Sequence, residues 1–347
     1  MGLEIDREEF SEEDEERFAE RLRDGLDALG RVLARPGFGE GPPSLGMELE
    51  LSLVDADGRP LGLNQAVLAD AGSDRLAVEL DRFNVEYNSR PVPLAGHPFE
   101  RLADDLAEAL TRVDAAARRH GGRVVAIGIL PTLREADLQS DALTDLPRYR
   151  ALSNRLRRLR GGPFLVNISG SESLAISCDD VTLEGANTSL QVHLRLPPRL
   201  FADAFNAAQI ATAPVLAVSG NSPVLAGRLL WEETRVALFR QAVDDREPTL
   251  AWRPPRVSFG HGWVRTGPAE LFAESVALHH VLLPVTGDED PLRAEAAGRV
   301  PGLHELRLHG GTVWNWNRAV YDPEGDGHVR IELRALPAGP TVTDMTA

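Results

Sequence analysis

Four short stretches of the chain alternate strictly between apolar and polar residues, the period expected of a strand with one buried face. Residues 46–51 send Glu48 and Glu50 to one side and Met47, Leu49 and Leu51 to the other. Residues 85–90 repeat the device with Glu86, Asn88 and Arg90, and residues 190–196 with Gln191, His193 and Arg195. Residues 329–335 do so with Arg330, Glu332 and Arg334. If these strands share a sheet, one face is a core face and the other a bed of carboxylates, one imidazole and guanidinium groups. Such a bed suits divalent cations and a polyphosphate. A solvated sheet face explains polar alternation in any single strand, but such faces are usually mixtures of Thr, Ser, Lys and Gln. Here Thr and Ser are scarce and Lys is absent.

The strands run from Glu48 to Arg334, so they meet only if most of the 347 residues form one domain. We expect an N-terminal helical segment over residues 1–40 and a single catalytic domain over 41–347. Net charge is −16 and all 37 basic residues are Arg, which argues against nucleic acid and against an anionic membrane surface as partners. The single cysteine, Cys178, excludes an intramolecular disulfide and a thiolate metal cage; a buried structural role is expected for it. The N-terminal 18 residues are dense in Asp and Glu, unlike a signal peptide, and no apolar run reads as long enough to span a bilayer. A cytoplasmic protein is the expectation.

Helical spacing of Phe18, Leu22, Leu26 and Leu29 marks residues 7–35. Leu102, Leu106, Leu110 and Val113 mark a second helix over 98–120, stopped by Gly121 and Gly122. Residues 124–130 read as a buried strand, and residues 145–160 as a helix ending in Arg155, Arg157, Arg158 and Arg160, either a phosphate grip or a solvated helix end. Residues 198–245 read as helical around a turn at 220–223; residues 167–180 carry no assignable pattern. With no lysine, neither a phosphate-binding loop of the G-x-x-x-x-G-K-[ST] type nor a protein kinase site can exist. No G-x-G-x-x-G follows a strand and opens a helix. If ATP binds, carboxylate-held Mg²⁺ and Arg side chains must hold it.

The strand at 46–50, Glu79 with Glu86, the His193 strand, the turn at 221–223 followed by Thr234 and Arg235, and the strand at 330–334 together resemble the glutamate-cysteine ligase family. The resemblance is closer to its bacterial carboxylate-amine ligase branch, which also shows segments like 311–314 and Asn317 with Arg318. It implies an α+β fold of the glutamine synthetase type: a curved antiparallel β-sheet cradle backed by helices. It implies ATP and two or three Mg²⁺ ions, with Mn²⁺ an alternative, held by Glu48, Glu50, Glu79, Glu86, His193 and Glu332. Arg334 would contact the transferring phosphoryl group and Arg235 a phosphate or a substrate carboxylate; Arg330 joins them at the nucleotide. The implied reaction is ATP-dependent γ-glutamyl amide formation through an acyl phosphate, as in glutathione biosynthesis, from glutamate or a similar acid and an amine such as cysteine.

Two other readings stay open: a catalytically silent relative that binds ATP or metal as a regulatory protein, and a metal-dependent hydrolase. The intact ligand set argues against the first and the Arg companions against the second. The branch pattern would lead into further helices beyond Ala347, and nothing in the sequence specifies the acceptor amine or the oligomeric state. His261, His279 and His280 are expected outside the site. Trp314 and Trp316 either flank an adenine or pack at the sheet edge, while Asn88 and Gln191 are expected to orient ligands from behind.

Overall fold

The alternating stretch at 46–51 lies inside β1 (Ser44–Val54), the strand around which the fold is organised. The computed structural model describes residues 5–347; residues 1–4 of the expected N-terminal segment lie outside the described residues. Before β1 comes α1 (Glu12–Leu33), and after it α2 (Asn64–Ala71), β2 (Leu76–Val78), β3 (Asn84–Asn88), β4 (Val92–Pro93), α3 (Pro98–Arg119) and β5 (Arg123–Val125). The chain continues through α4 (Pro147–Arg160), a hairpin of β6 (Phe164–Ser169) and β7 (Ser173–Cys178), α5 (Thr182–Gly185), β8 (Ser189–Arg195) and α6 (Phe201–Ser219). Then follow β9 (Val224–Leu225), β10 (Arg228–Leu229), α7 (Arg235–Ala242), α8 (Ala269–Leu278), α9 (Pro291–Ala296), α10 (His304–Gly310), β11 (Asn317–Asp322), β12 (His328–Pro337) and α11 (Val342–Thr346).

Eight strands form one sheet in the order β11-β12-β8-β1-β3-β2, with β4 and β5 also paired to β1. Every pairing is antiparallel, so the α+β antiparallel architecture is present. The apolar face of β1 is buried throughout: Leu45, Met47, Leu49, Leu51 and Leu53 pack with Val85 and Tyr87 of β3 beneath Val67 of α2 and Leu102, Leu106 and Val113 of α3. Val192 and Leu194 of β8 lean on this layer. Further along the sheet, Ile331 of β12 joins a second cluster with Phe18, Leu22, Leu29 and Val32 of α1. That cluster also takes in Phe272 of α8 and Leu306 of α10, so α1 shares a core with the C-terminal half. Its start is set by a capping box between Ser11 and Asp14. Residues on the covered face keep the strands in register, because a slip of one residue would exchange the two faces.

The structure departs from several sequence expectations. Of the expected 124–130 strand only Val124 and Val125 pair with β1, together with Arg123 before them; the rest leaves the sheet, with Ile129 bridging Asn187. Residues 167–180, unassigned from sequence, lie mostly in the β6–β7 hairpin, whose buried residues Phe164, Val166 and Ile168 alternate with exposed ones. Between the two expected helices of 198–245 sits the short β9–β10 hairpin. The reading that no apolar run is long enough to span a bilayer is corrected: residues Pro198–Ser219, 22 in all, form one helical stretch long and apolar enough by length and composition. Arg199, Asp203, Asn206, Gln209 and Pro214 interrupt it, so no unbroken apolar run marks it in the sequence.

Candidate active site

Antiparallel register places the polar residues of four strands in adjoining rows. Glu50 of β1 faces Glu86 of β3, and Glu48 lies between Asn88 of β3 and Gln191 of β8. His193 lies between Gly46 of β1 and Glu332 of β12, and Glu332 faces Arg318 of β11. The six expected ligands therefore occupy one region of the sheet, with Glu79 entering just after β2.

They divide into two groups. Carboxylate oxygens of Glu50, Glu79 and Glu86 lie within 4.8 Å of one another. Directly opposed like charges on neighbouring strands repel, and here they do so away from solvent. Burial and then the Glu86 charge raise the Glu50 carboxyl to about 7. Burial and the charges of Glu86 and Glu50 push Glu79 well above the usual range. Glu86 is raised too, by burial and by Glu48. The neighbours hold this group in place. Gln191 Nε2 donates to Glu50 Oε1 at 2.9 Å, the Ser189 amide to Glu50 Oε2 at 2.7 Å, and Asn88 Nδ2 to Glu86 Oε1 at 2.6 Å. The expectation that Asn88 and Gln191 orient these carboxylates matches those bonds.

The second group is already engaged by arginine and by its own imidazole. Arg318 grips Glu332 with both a 2.9 Å and a 3.1 Å hydrogen bond, the fork geometry that guanidinium offers a carboxylate. Arg334 Nε lies 3.2 Å from the same Glu332. Burial, which alone would raise it, is outweighed by Arg318, His193 and Arg334, so the Glu332 carboxyl lies below its usual range. Glu48 is likewise depressed: burial is outweighed by His193 and, further off, Arg330. His193 Nε2 stands 3.1 Å from Glu48 Oε1, and its Nδ1 accepts from Arg330 Nε at 2.9 Å. An Nδ1 that accepts leaves the proton on Nε2. For His193 to ligate a cation through Nε2, that proton must leave and Arg330 must turn away. As ligand candidates, Glu48, His193 and Glu332 thus stand apart from the convergent three, because Arg318 and Arg334 engage Glu332, Arg330 engages His193, and His193 engages Glu48. Arg330 is also held by Asp322 Oδ2 at 2.9 Å.

Arg334 and Arg235 remain. Arg334 sits where β12 shifts register against β8, between Leu333 and Leu336, a bulge that re-aims side chains. Its Nη1 is buried without a hydrogen-bond partner, and its guanidinium lies 5.7 Å from the Phe239 ring. Arg235 opens α7, fully buried, with Nη1 donating to Glu233 Oε1 at 3.1 Å and to the Ala335 carbonyl at 3.0 Å. Its Nε has no partner. Both guanidinium groups bear electrostatically on Glu50 and pull its carboxyl down against burial. The acidic group and the buried guanidinium nitrogens without hydrogen-bond partners thus share one site, with Arg235 and Arg334 bearing on Glu50.

Residues 44–258, more than half of the chain, match the family model of glutamate-cysteine ligase family 2. The chain belongs to glutamate-cysteine ligase family 2. A Paenarthrobacter aurescens protein provisionally named glutamate–cysteine ligase 2-3 is 34% identical over 128 residues, 36% of this chain and 28% of its own length. The glutamate–cysteine ligase of Haloferax volcanii is 33% identical over 187 residues, 52% of this chain and 44% of its own length. The chain thus matches under half the length of these curated relatives. A glutamate–cysteine ligase of Francisella tularensis, solved in complex with AMP, gives a TM-score of 0.29 at 12% identity over 53% of this chain and 32% of its own. A bifunctional glutathione synthetase from Pasteurella multocida gives 0.35 at 10% identity over 85% and 44%.

Within this family 2 chain the matched segment contains Glu48, Glu50, Glu79, Glu86, His193 and Arg235, while Arg330, Glu332 and Arg334 lie beyond it. Two residues escaped sequence reasoning. Glu184 of α5 is raised to about 8 by burial and then by Glu50, extending the acidic group. Asp81 is fully buried, neither carboxylate oxygen has a partner, and burial with Glu184 and Asp180 pushes it well above the usual range. Neither belongs to an alternating run, so only their acidity marked them. The helix-end arginines form ion pairs, Arg155 with Glu15 at 2.6 Å and Arg157 with Asp179 at 3.1 Å. Trp316 packs edge-on against Phe239 at 5.5 Å and is buried, while His261 pairs with Glu274 at 2.9 Å. Cys178 is buried, its thiol donating to Asp180 at 3.3 Å.

Proposed function

We propose that the protein is an ATP-dependent carboxylate-amine ligase that forms a γ-glutamyl amide through an acyl phosphate. The observation that carries this reading is the convergence of Glu50, Glu79 and Glu86 beside Arg235 and Arg334, which carry buried nitrogens without partners. Three carboxylates raised above their usual range form an oxygen-only donor set short of positive charge. That set fits Mg²⁺, which takes carboxylates and substrate phosphate oxygens and keeps water. Glu50, Glu79 and Glu86 would hold the ion; bound there, it would neutralise charge on the transferring phosphoryl group.

A carboxylate is a poor acyl donor, so its oxygen first attacks the γ-phosphorus of ATP and ADP leaves. The amine nitrogen then attacks the acyl carbon, phosphate departs, and the ammonium proton is lost. The chain supplies orientation and charge rather than a nucleophile. Arg334, rigid and desolvated, stabilises the equatorial oxygens as they gain charge. Arg235, fixed by Glu233 and the Ala335 carbonyl, keeps its free edge for a substrate carboxylate or a phosphate. Arg318 keeps Glu332 ionised, and Glu332 in turn holds Arg334 in position. Cytoplasmic residence and a part in making glutathione or a related γ-glutamyl compound accord with this reading.

The test is ADP formation from ATP and glutamate across a panel of amines, with Mg²⁺ and with chelator. The expected result is turnover that needs glutamate, an amine and the divalent ion. Phosphate release from ATP or another ester without an amine would make the site a hydrolase instead.

A further inference from the structure

A cavity of about 670 Å³ opens between α6 and the loop at residues 259–263. The loop is pinned to the helix: Asn206 Nδ2 donates to the Val264 carbonyl at 2.8 Å and its Oδ1 accepts from the Val264 amide at 2.9 Å. Gln209 Nε2 donates to the Phe259 carbonyl. Three aromatic rings line the opening, those of Trp231, Phe259 and Trp263, with Leu216 and Val236 among the other walls. Trp231 is fixed by a 2.8 Å bond from its Nε1 to the Ser169 carbonyl. These rings remain 44%, 43% and 61% exposed, a contiguous apolar surface of the kind that marks a binding site rather than scattered exposure.

The charges around this cavity are one-sided. Its only charged lining residues are Glu232 and Glu233, although the chain carries 37 arginines. Glu233 is spoken for, accepting from Arg235 Nη1 at 3.1 Å and from the Asn221 amide at 3.2 Å. Glu232 is exposed and makes no salt bridge among the described residues. Anionic ligands are repelled from such a cavity, and a polyphosphate finds no guanidinium there. A cation is favoured twice, by the Glu232 carboxylate and by the negative faces of the aromatic rings. The apolar walls require that the rest of the ligand be hydrocarbon.

We propose that this cavity binds a hydrophobic primary amine, its hydrocarbon group among Trp231, Phe259 and Trp263 and its ammonium against Glu232. Glu233, in the same wall, accepts from Arg235 at 3.1 Å, and the Phe259 ring of the cavity lies 5.9 Å from that of Trp316, over which the Arg235 guanidinium sits; the cavity therefore adjoins Arg235. The bound amine, once its ammonium has given a proton to solvent at the exposed Glu232, is then the acceptor of the ligase reaction, a step that rests on the reading given under the proposed function. It makes the acceptor an arylalkyl- or alkylamine rather than a small polar amino acid.

Calorimetric titration of the full chain with 2-phenylethylamine, 3-phenylpropionate and ethylamine tests the cavity without ATP or turnover. The expected result is binding of 2-phenylethylamine about tenfold or more tighter than either analogue, weakened about tenfold in Trp263→Ala and in Glu232→Gln. Both positions are exposed, so the variants should melt as the parent does. Equal binding of the phenylpropionate, or unchanged affinity in both variants, overturns the proposal. ADP formation with 2-phenylethylamine as the amine, with Trp263→Ala raising KM for the amine more than it lowers kcat, supports the acceptor role. Turnover with cysteine and none with 2-phenylethylamine overturns that role. No turnover with any amine counts against the ligase reading itself, and the calorimetry alone then decides the cavity.

Discussion

Glu50 and Glu86 face each other across two strands, held by hydrogen bonds from Gln191, Ser189 and Asn88, with Arg235 and Arg334 only partly offsetting the burial and repulsion at Glu50. Replacing either with Gln keeps the shape and the hydrogen-bonding capacity but removes an anionic donor. We expect Glu50→Gln and Glu86→Gln to fold, to lose the thermal stabilisation by Mg²⁺, and to lower kcat by about 10²-fold or more. Wild-type turnover in both would remove Glu50, Glu79 and Glu86 from the chemistry. Arg334 makes a different kind of claim. It is buried with free nitrogen, and a donor placed where charge develops acts on the transition state more than on bound substrate. Arg334→Ala should therefore lower kcat by about 10²-fold while ATP affinity changes little. A raised KM for ATP with kcat intact would make it a ground-state contact.

The elements explain why the face was legible and the partners were not. Alternation in β1, β8 and β12 reads directly from sequence because each strand packs one apolar row against helices, and the polar row follows by geometry. Which polar residue meets which depends on the order β12-β8-β1-β3, and that order sets Arg330 beside His193 and leaves Glu50 to Glu86. The bulge at Arg334 has no mark in a sequence that keeps alternating through it. The β6–β7 hairpin was obscured by exposed Leu165, which breaks the polar row. α5 was missed for a steric reason: it is a four-residue turn shaped by contact. A Cβ on Gly185 would fall 2.3 Å from Asp81 Cγ, so α5 and the acid-bearing segment after β2 approach as closely as glycine permits. Gly185→Ala should destabilise the fold by about 1–3 kcal/mol by overpacking, read as a lowered denaturant midpoint. An unchanged midpoint would mean that Asp81 moves aside freely and that α5 does not fix it.

For the whole molecule, the buried acids make stability depend on pH in an unusual direction. A carboxyl whose folded value lies above its unfolded value binds its proton more tightly when folded, so its contribution is full at low pH and is lost as pH rises. Glu50 at about 7 and Glu184 at about 8 lose theirs between the ordinary carboxylate range and about pH 8. Three histidines oppose them at lower pH: burial lowers His279 to about 3, and His309 and His328 to about 4, so they cost stability as pH falls below 6.5. From about pH 6.5 to 8 the histidines are silent and the acids decide. The melting temperature of the metal-free protein should therefore fall across that window. Mg²⁺ replaces the protons, so its stabilising effect should grow from pH 6.5 to 8 and level the slope. Glu50→Gln combined with Glu184→Gln should also level it, without the ion. A metal-free melting temperature that rises through this window, or a Mg²⁺ effect that does not vary with pH, would mean that the acids are relieved by groups other than a cation.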